Sequence, residues 1–452
     1  MRNGIEHIGK TDVAWSYAAT IFQVGAGVFL LPAILHYMPQ QTVGLWNIFL
    51  TVTSLVLLLD FGFRPSFARN VGYILAGVKE LQVQGVNRTD NESPIDFNLL
   101  KSAICAMRKF YRMVSLTVLL ILATAGTAYL WAVMRNYTES HSDAYVAWAI
   151  LCFVNCYELY TYYYDALLLG KGYVKQSQQI MILSKCVYLG IAIPLVMMNI
   201  GLTALVSAQL LSTIIRRILA KRVFYTRDMK LQLETASEEQ SQKVFASIMP
   251  NAVRVGLTYI GGFLVNKSTI LIGSLYLTLN DVATYGITAQ VMDVLTRCAL
   301  VCSMAYTPLI VKARAQGDMQ AIRRMYILCT AALACVMLVG GICWLLCGDI
   351  CLNIIGSQTH FIIPKMLAVL LVFQFLEKNH SLAATFIQAD NRIPFFIPSL
   401  VSGIAVVILL WFFLSQLHWG LWALIFAPGI VQLAYQNWKW PLVVIHEIRQ
   451  GL

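Results

Sequence analysis

Apolar segments of about twenty or more residues alternate with short polar stretches along almost the whole chain. An α-helix of that length crosses the roughly 30 Å hydrocarbon core of a membrane. Twelve segments are therefore predicted to span a membrane: 12–37, 44–76, 110–134, 144–169, 177–198, 203–225, 247–275, 281–310, 325–347, 363–388, 393–415 and 420–445. The pattern predicts an all-α membrane protein with about twelve transmembrane helices.

The second segment turns polar near one end. Residues 45–59 are almost entirely apolar, whereas Asp60 and Arg64 follow within one turn of each other. Residues four apart share a helix face, and Pro65 prevents a regular backbone hydrogen bond to the preceding turn. A bent membrane helix that carries charge indicates a water-filled cavity rather than a lipid-facing anchor.

Composition agrees with this interpretation. Of 452 residues, 58% are hydrophobic and only 12% are charged, with a mean hydropathy of +0.68. The formal net charge of +11 comes from Lys and Arg in short loops beside apolar runs, which indicates membrane topology rather than a nucleic-acid surface. The eleven cysteines lie mostly within apolar segments, where packing is their expected role. No nucleic-acid partner, metal or cofactor is expected.

The distribution of basic residues among the loops predicts the orientation of the chain. One set of alternate loops carries nearly all of the loop Lys and Arg, including Arg216 and Arg217, and the opposite set carries essentially only Arg135. Because basic loops stay in the cytoplasm, both termini are predicted to be cytoplasmic. The external connections are too short to fold into a catalytic domain, so the protein is not expected to be an enzyme.

Sequence matches indicate an internal repeat. Gly44 and Gly286 each begin the second helix of a half, and Glu158 matches Glu377. The polar stretch 226–243 divides the chain near its middle. The chain is therefore predicted to form two six-helix lobes, residues 1–235 and 236–452, as a 6+6 parallel repeat.

Three stretches carry a family resemblance: GLW at 44–46, LDFGF at 59–63 leading to Arg69, and YYYDALLLGKG at 162–172. With the twelve-helix layout, they resemble Wzx-type polysaccharide (O-antigen) flippases of the multidrug, oligosaccharidyl-lipid and polysaccharide (MOP) exporter superfamily. The resemblance implies two lobes around a central cavity that opens alternately to each side of the cell inner membrane. It implies as cargo an undecaprenyl-pyrophosphate-linked oligosaccharide repeat unit for surface polysaccharide biosynthesis. Membrane lipids, a coupling H⁺ or Na⁺, and other polysaccharide-assembly proteins are the further partners expected.

The implied cargo carries a pyrophosphate, which needs cations within the membrane. The candidate substrate-binding residues are Arg254, Lys267, Lys185, Arg64, Arg297 and Lys378. Arg254 and Lys267 lie about 20 Å apart along one helix and are expected to bind the anion in turn. Arg64 and Arg297 each have an aspartate four residues away, so a private ion pair is the alternative role for both.

Carboxylates within the predicted spans are candidates for ion coupling. They are Asp60, Glu158, Asp165, Asp293 and Glu377. Glu158 and Asp165 are seven residues apart and share a helix face, which suits a coupling proton or Na⁺. The alternative is a structural ion pair with Lys185 on the next helix.

An ion-coupled multidrug exporter, similar to MATE transporters, is the alternative function because it has the same architecture. Its cavity is expected to be net acidic, whereas six candidate cations against five carboxylates favour an anionic cargo. The sequence has no ATP-binding loop and no HExxH or GxSxG motif.

Overall fold

The computed structural model describes residues 10–60, 63–75, 77–78, 95–238, 241–316, 318–389 and 394–450. This part of the chain is helical and has no strand. Its α-helices, numbered in chain order, are α1 Lys10–Tyr37, α2 Gln40–Leu58, α3 Phe63–Leu75, α4 Phe97–Ile121, α5 Thr127–Val133, α6 His141–Tyr160, α7 Tyr163–Gly170, α8 Val174–Met197, α9 Leu202–Phe224, α10 Arg227–Thr235, α11 Ser241–Asn266, α12 Ser268–Tyr276, α13 Leu279–Gln316, α14 Met319–Ile355, α15 Pro364–Gln388, α16 Phe396–Ser415, α17 Leu421–Ala434 and α18 Gln436–Gln450.

The predicted fold class is confirmed at the level of an all-α membrane protein, since the described residues are almost entirely helical and include long apolar helices. Within the described residues, 7 helical stretches are long and apolar enough to cross a membrane without a break. The other predicted spans coincide with α1, with α15, or with two consecutive helices that share one apolar segment. A π-helical turn, Leu122–Gly126, joins α4 to α5 within a single span.

Four of the predicted spans are divided into two helices. The division falls between α2 and α3, between α6 and α7, between α11 and α12 at Lys267, and between α17 and α18 at Tyr435. The kink predicted at Pro65 is a break just before it, since α2 ends at Leu58 and Pro65 lies in the first turn of α3. Proline is tolerated in a first turn because its missing N–H would have no helical partner there.

Contacts within the chain define two compact units. The first contains Met1–Met38 and Val52–Tyr259, and the second contains Pro39–Thr51 and Ile260–Leu452. In the first unit, α8 packs on α1 and α9, α6 contacts α4 and α9, and α3 packs on α7. The α3–α7 contact is close because a Cβ at Gly170 would lie 2.6 Å from the Ala68 carbonyl oxygen.

In the second unit, α15 contacts α14, α17 and α18, and the first half of α2 lies on α13. A Cβ at Gly44 would lie 2.2 Å from the Leu279 carbonyl oxygen, and a Cβ at Gly286 would lie 2.3 Å from Asn47 Cγ. Asn47 Oδ1 accepts a hydrogen bond from Gln290 Nε2 at 2.7 Å. Gly44 and Gly286, which the predicted repeat pairs with each other, therefore both allow the close crossing of α2 and α13.

Candidate functional site

Charged side chains of the first unit collect where two spans are broken. Asp60 lies between α2 and α3, and Tyr162 lies between α6 and α7. The Arg64 guanidinium, in the first turn of α3, lies over the Tyr162 ring at 4.6 Å from its centroid, so the two breaks are neighbours. Discontinuous membrane helices with polar groups at the break are typical of ion and substrate sites in transporters.

Asp60 caps the second half of its own span. Its carboxylate accepts hydrogen bonds from the Arg64 backbone N–H, at 3.2 and 3.3 Å, and from the Tyr111 hydroxyl. A negative charge is stabilised there by the free N–H groups at the N-terminus of α3. No ion pair within 4.0 Å joins the Asp60 and Arg64 side chains in the described structure, so the Arg64 guanidinium is not a private partner of Asp60.

Two adjacent arginines of α9 hold the carboxylates of the α6–α7 span. Arg216 Nη2 lies 2.7 Å from Asp165 Oδ2, and Arg216 Nη1 lies 3.5 Å from Glu158 Oε1. Arg217 Nη1 lies 3.0 Å from Asp165 Oδ1, and Arg217 Nη2 lies 3.9 Å from Glu158 Oε1. The side chain of Arg217 is 1% exposed and that of Arg216 is 24% exposed. A buried guanidinium is stable only with such counter-charges.

This arrangement excludes one alternative role and corrects one expectation. The alternative ion pair of Glu158 with Lys185 is not formed, because the arginines of α9 are the partners that lie within 4.0 Å of Glu158 among the described residues. The Lys185 amine lies over the Tyr188 ring at 5.4 Å and interacts with Glu158 at longer range. Arg216 and Arg217, assigned to a loop from the charge pattern, lie inside α9.

The cluster has more cations than carboxylates. Four cations and three carboxylates of the first unit interact directly or electrostatically, which leaves one formal positive charge when all are ionised. They are Arg64, Lys185, Arg216, Arg217, Asp60, Glu158 and Asp165. A buried excess of positive charge attracts an anion strongly because the surroundings screen it poorly.

In the second unit, Lys267 lies at the break between α11 and α12. Its Nζ is 2.8 Å from Asp293 Oδ2 on α13, and the two side chains are 33% and 50% exposed. Arg297, the alternative partner of Asp293, forms no ion pair with it within 4.0 Å in the described part and is exposed. The alternative of a private Arg297–Asp293 pair is therefore not formed in the described structure, because a neighbouring helix supplies the closer cation.

A small cavity of about 30 Å³, lined by both polar and apolar side chains, lies in the second unit. Its lining includes Thr269 of α12, Tyr285 of α13, Glu377 of α15, Gln432 of α17 and Asn437 of α18. The break at Tyr435 brings the last two side chains to the cavity from either side. A cavity of this size holds one or two water-sized occupants.

Three residues that line this cavity each have an oxygen atom without a hydrogen-bond donor in the described structure. They are Glu377 Oε2, Gln432 Oε1 and Asn437 Oδ1. The His380 Nδ1 atom lies 3.7 Å from Glu377 Oε2, too far for a hydrogen bond. Buried acceptors without donors are costly, and a proton or a hard cation relieves that cost. Lys378 is next to Glu377 in α15 and is half-buried, but it does not line the cavity.

Two further observations concern Arg254 and metal binding. Arg254 belongs to α11, but its side chain lies outside the described residues. No group of three or more His, Cys, Asp or Glu in the described part is placed to hold a metal ion.

Sequence reasoning missed four of the residues that build these sites. Arg216 and Arg217 interrupt the apolar segment 203–225, and Gln432 and Asn437 interrupt 420–445. Polar residues inside an otherwise apolar helix would have been the signal that identifies them.

No family model and no curated protein matches this sequence. Solved structures do match. An inward-facing multidrug resistance MATE family transporter of the MOP superfamily is 14% identical, with 96% of this chain and 95% of that chain covered and a TM-score of 0.67. The lipid II flippase MurJ, in an inward closed conformation, is 11% identical over 96% of this chain and 87% of that chain, with a TM-score of 0.63.

A third match is a MOP superfamily transporter from Pyrococcus furiosus, described as having a binding pocket of reverse polarity that suggests a different function. It is 13% identical, with 98% of this chain and 94% of that chain covered and a TM-score of 0.52. The chain thus has the fold of MOP superfamily transporters. The same fold includes a drug exporter and a lipid flippase, so the chemistry of the site must distinguish the two cargo classes.

Proposed function

We propose that the protein is a flippase for an undecaprenyl-pyrophosphate-linked oligosaccharide repeat unit, which it moves across the inner membrane for O-antigen or related surface polysaccharide synthesis. The observation that carries the proposal is the excess of cations in the charged cluster beside the helix breaks of the first unit. The pyrophosphate must cross a region where an uncompensated charge costs at least a few kcal/mol, while the polyprenyl tail stays in lipid.

Arginine suits this cargo because its planar fork pairs with two phosphate oxygens at once. Arg64 and Arg216 are the partly exposed arginines of the cluster, so both are proposed to contact the pyrophosphate. Arg254 and Lys267 are proposed to bind it in turn. The mechanism is alternating access, with the termini in the cytoplasm.

The cavity of the second unit is the proposed coupling site. Three oxygens without a hydrogen-bond donor, one of them from Glu377, suit a Na⁺ ion better than an apolar or anionic ligand. Binding of the ion to one conformation alone would bias the transport cycle by its differential affinity.

The alternative is an ion-coupled multidrug exporter, and the likeness to a MATE transporter favours it at the level of fold. A cationic drug needs an acidic cavity, however, and the first unit has a surplus of positive charge. A lipid-linked pyrophosphate therefore fits the charge balance better.

Replacing Arg64 tests the proposed cargo. In cells whose only copy of this protein is Arg64→Gln, transport should fall at least tenfold, since loss of one charge-assisted bidentate pair costs about 1.5–3 kcal/mol. The measurement is the amount of lipid-linked sugar retained on the cytoplasmic leaflet at matched protein levels. Arg69→Gln is the matched control, because Arg69 is an exposed arginine of the same helix.

Normal surface polysaccharide from Arg64→Gln would remove the anionic-cargo role of this residue. Efflux of cationic dyes by the wild-type protein, without accumulation of lipid-linked sugar when the gene is deleted, would support the drug exporter instead.

A further inference from the structure

The four-residue group of Arg216, Arg217, Glu158 and Asp165 is balanced in charge but asymmetric in exposure. Arg217 is almost completely buried, whereas Arg216 is 24% exposed. Of the two carboxylates, Asp165 has contacts of 2.7 and 3.0 Å and Glu158 has contacts of 3.5 and 3.9 Å. Arg216 is therefore the arginine that can turn to an incoming anion, and Glu158 is the carboxylate held more weakly.

We propose that Arg216 exchanges Glu158 and Asp165 for the phosphate of the cargo, and that Glu158 takes up a proton in the exchange. The proposal rests on the proposed function, because it needs a diphosphate as cargo. It assigns Arg216 a role as the link between anion binding and protonation, and it leaves Arg217 in place as the fixed counter-charge of Asp165.

The charge balance gives the stoichiometry. The seven-residue charged cluster of the first unit has a net formal charge of +1. A diphosphate diester brings two negative charges, so the complex would have a net charge of −1. A buried site does not tolerate that imbalance, and a carboxylate deprived of its arginine is the group that gains a proton. Asp165 keeps Arg217 at 3.0 Å, whereas Glu158 keeps only the 3.9 Å contact, so the proton goes to Glu158.

Several other groups interact with the carboxylates or arginines of the cluster and enter the same balance. They are Arg64 of α3, Asp60 at the α2–α3 break, Tyr111 of α4, Tyr157 of α6, Tyr162 at the α6–α7 break and Lys185 of α8. Lys185 is the main competitor for Glu158, since it is repelled by Arg216 and would be drawn to Glu158 once Arg216 leaves. The Lys185 amine lies over the Tyr188 ring and forms no ion pair with Glu158 within 4.0 Å. This position favours protonation of Glu158 over a new ion pair between Glu158 and Lys185.

Calorimetry of the purified full-length protein in detergent tests the exchange. The probe is a short-chain prenyl-diphospho-N-acetylglucosamine diester, whose phosphates do not titrate near neutral pH. Titration in buffers of different ionisation enthalpy gives the protons taken up per ligand bound, and we expect about one for the wild type by linkage.

The variants separate the roles. Glu158→Gln should bind the diester with less than half of the wild-type proton uptake. Arg216→Gln should bind at least tenfold more weakly, because the guanidinium that is proposed to bind the phosphate is removed. Arg216→Lys keeps the charge and should retain uptake, and Lys230→Gln, an exposed lysine of α10, should match the wild type.

The outcomes distinguish this proposal from the function on which it rests. Binding of the diester without proton uptake in the wild type overturns the exchange and leaves the flippase proposal standing. Undiminished uptake in Glu158→Gln overturns the assignment of the proton. No binding of the diester at all overturns both.

Discussion

At the scale of single residues, Glu377 offers the most direct test of ion coupling. Its Oε2 has no hydrogen-bond donor, and the residue lines the cavity of the second unit. If Na⁺ occupies that cavity, the folded protein gains stability by mass action, and its melting temperature should be about 2 °C or more higher in NaCl than in choline chloride. Glu377→Gln keeps the shape but removes the charge, so this difference should disappear.

The control for this experiment is Glu139→Gln, since Glu139 is an exposed carboxylate outside the cavity. The control should retain the full sodium effect. A wild-type protein that melts at the same temperature in both salts would contradict the sodium site and leave a proton as the coupling ion.

Residues that carry charge within the membrane could be identified from the sequence, but their partners could not. Asp60, Glu158 and Asp165 were predicted and do meet in one cluster. Sequence spacing offers Arg297, on the same helix, as an alternative partner for Asp293. In the structure, Asp293 instead pairs with Lys267, which lies at a helix break. Spacing of three or four residues reports only on neighbours within one helix, whereas packing decides which helices meet.

At the scale of helices, the small residues at crossings have the clearest consequence. A Cβ at Gly170 would lie 2.6 Å from a backbone oxygen and 2.7 Å from Val71 Cβ, so Gly170→Ala must push α7 away from α3. Overpacking of this kind costs about 1–3 kcal/mol. Purified Gly170→Ala should therefore unfold at a lower temperature than the wild type, by fluorescence-detected melting in detergent.

Gly190→Ala is the matched control, because a Cβ at Gly190 of α8 has no atom within 4 Å. It should be neutral, or more stable by up to about 1 kcal/mol, since alanine favours a helix more than glycine does. Equal stability of the two variants would contradict the close α3–α7 contact.

The helices themselves follow from the length of the apolar segments, but most of their breaks do not. Pro65 indicated one bend, and the structure has a break there. No proline indicates the break at Lys267, and the break at Tyr435 comes well after Pro428. Such breaks depend on the polar groups of neighbouring helices that satisfy the freed backbone atoms, which the sequence of one helix does not contain.

At the scale of the whole molecule, two helices belong partly to each compact unit. The first half of α2 belongs to the second unit, and the first part of α11 belongs to the first unit. The stretch 226–243, which contains α10 and the start of α11, is visible in the sequence as a polar linker, and residues 1–235 and 236–452 remain the predicted lobes. The close approach of Gly44 to Leu279 explains why the first half of α2 belongs to the second unit, with its packing partner α13, and not to the predicted N-terminal lobe.

The orientation of the whole chain rests on its basic loops and can be tested directly. Because nearly all loop Lys and Arg lie on one side, that side should be cytoplasmic. A reporter that is active only outside the cytoplasm should give a signal when fused after Asn136 and should be silent after Arg88 or Lys230. A reporter that fluoresces only in the cytoplasm should give the opposite pattern at the same three positions. Activity of the first reporter after Lys230 would reverse the orientation, and with it the direction of transport proposed for the lipid-linked cargo.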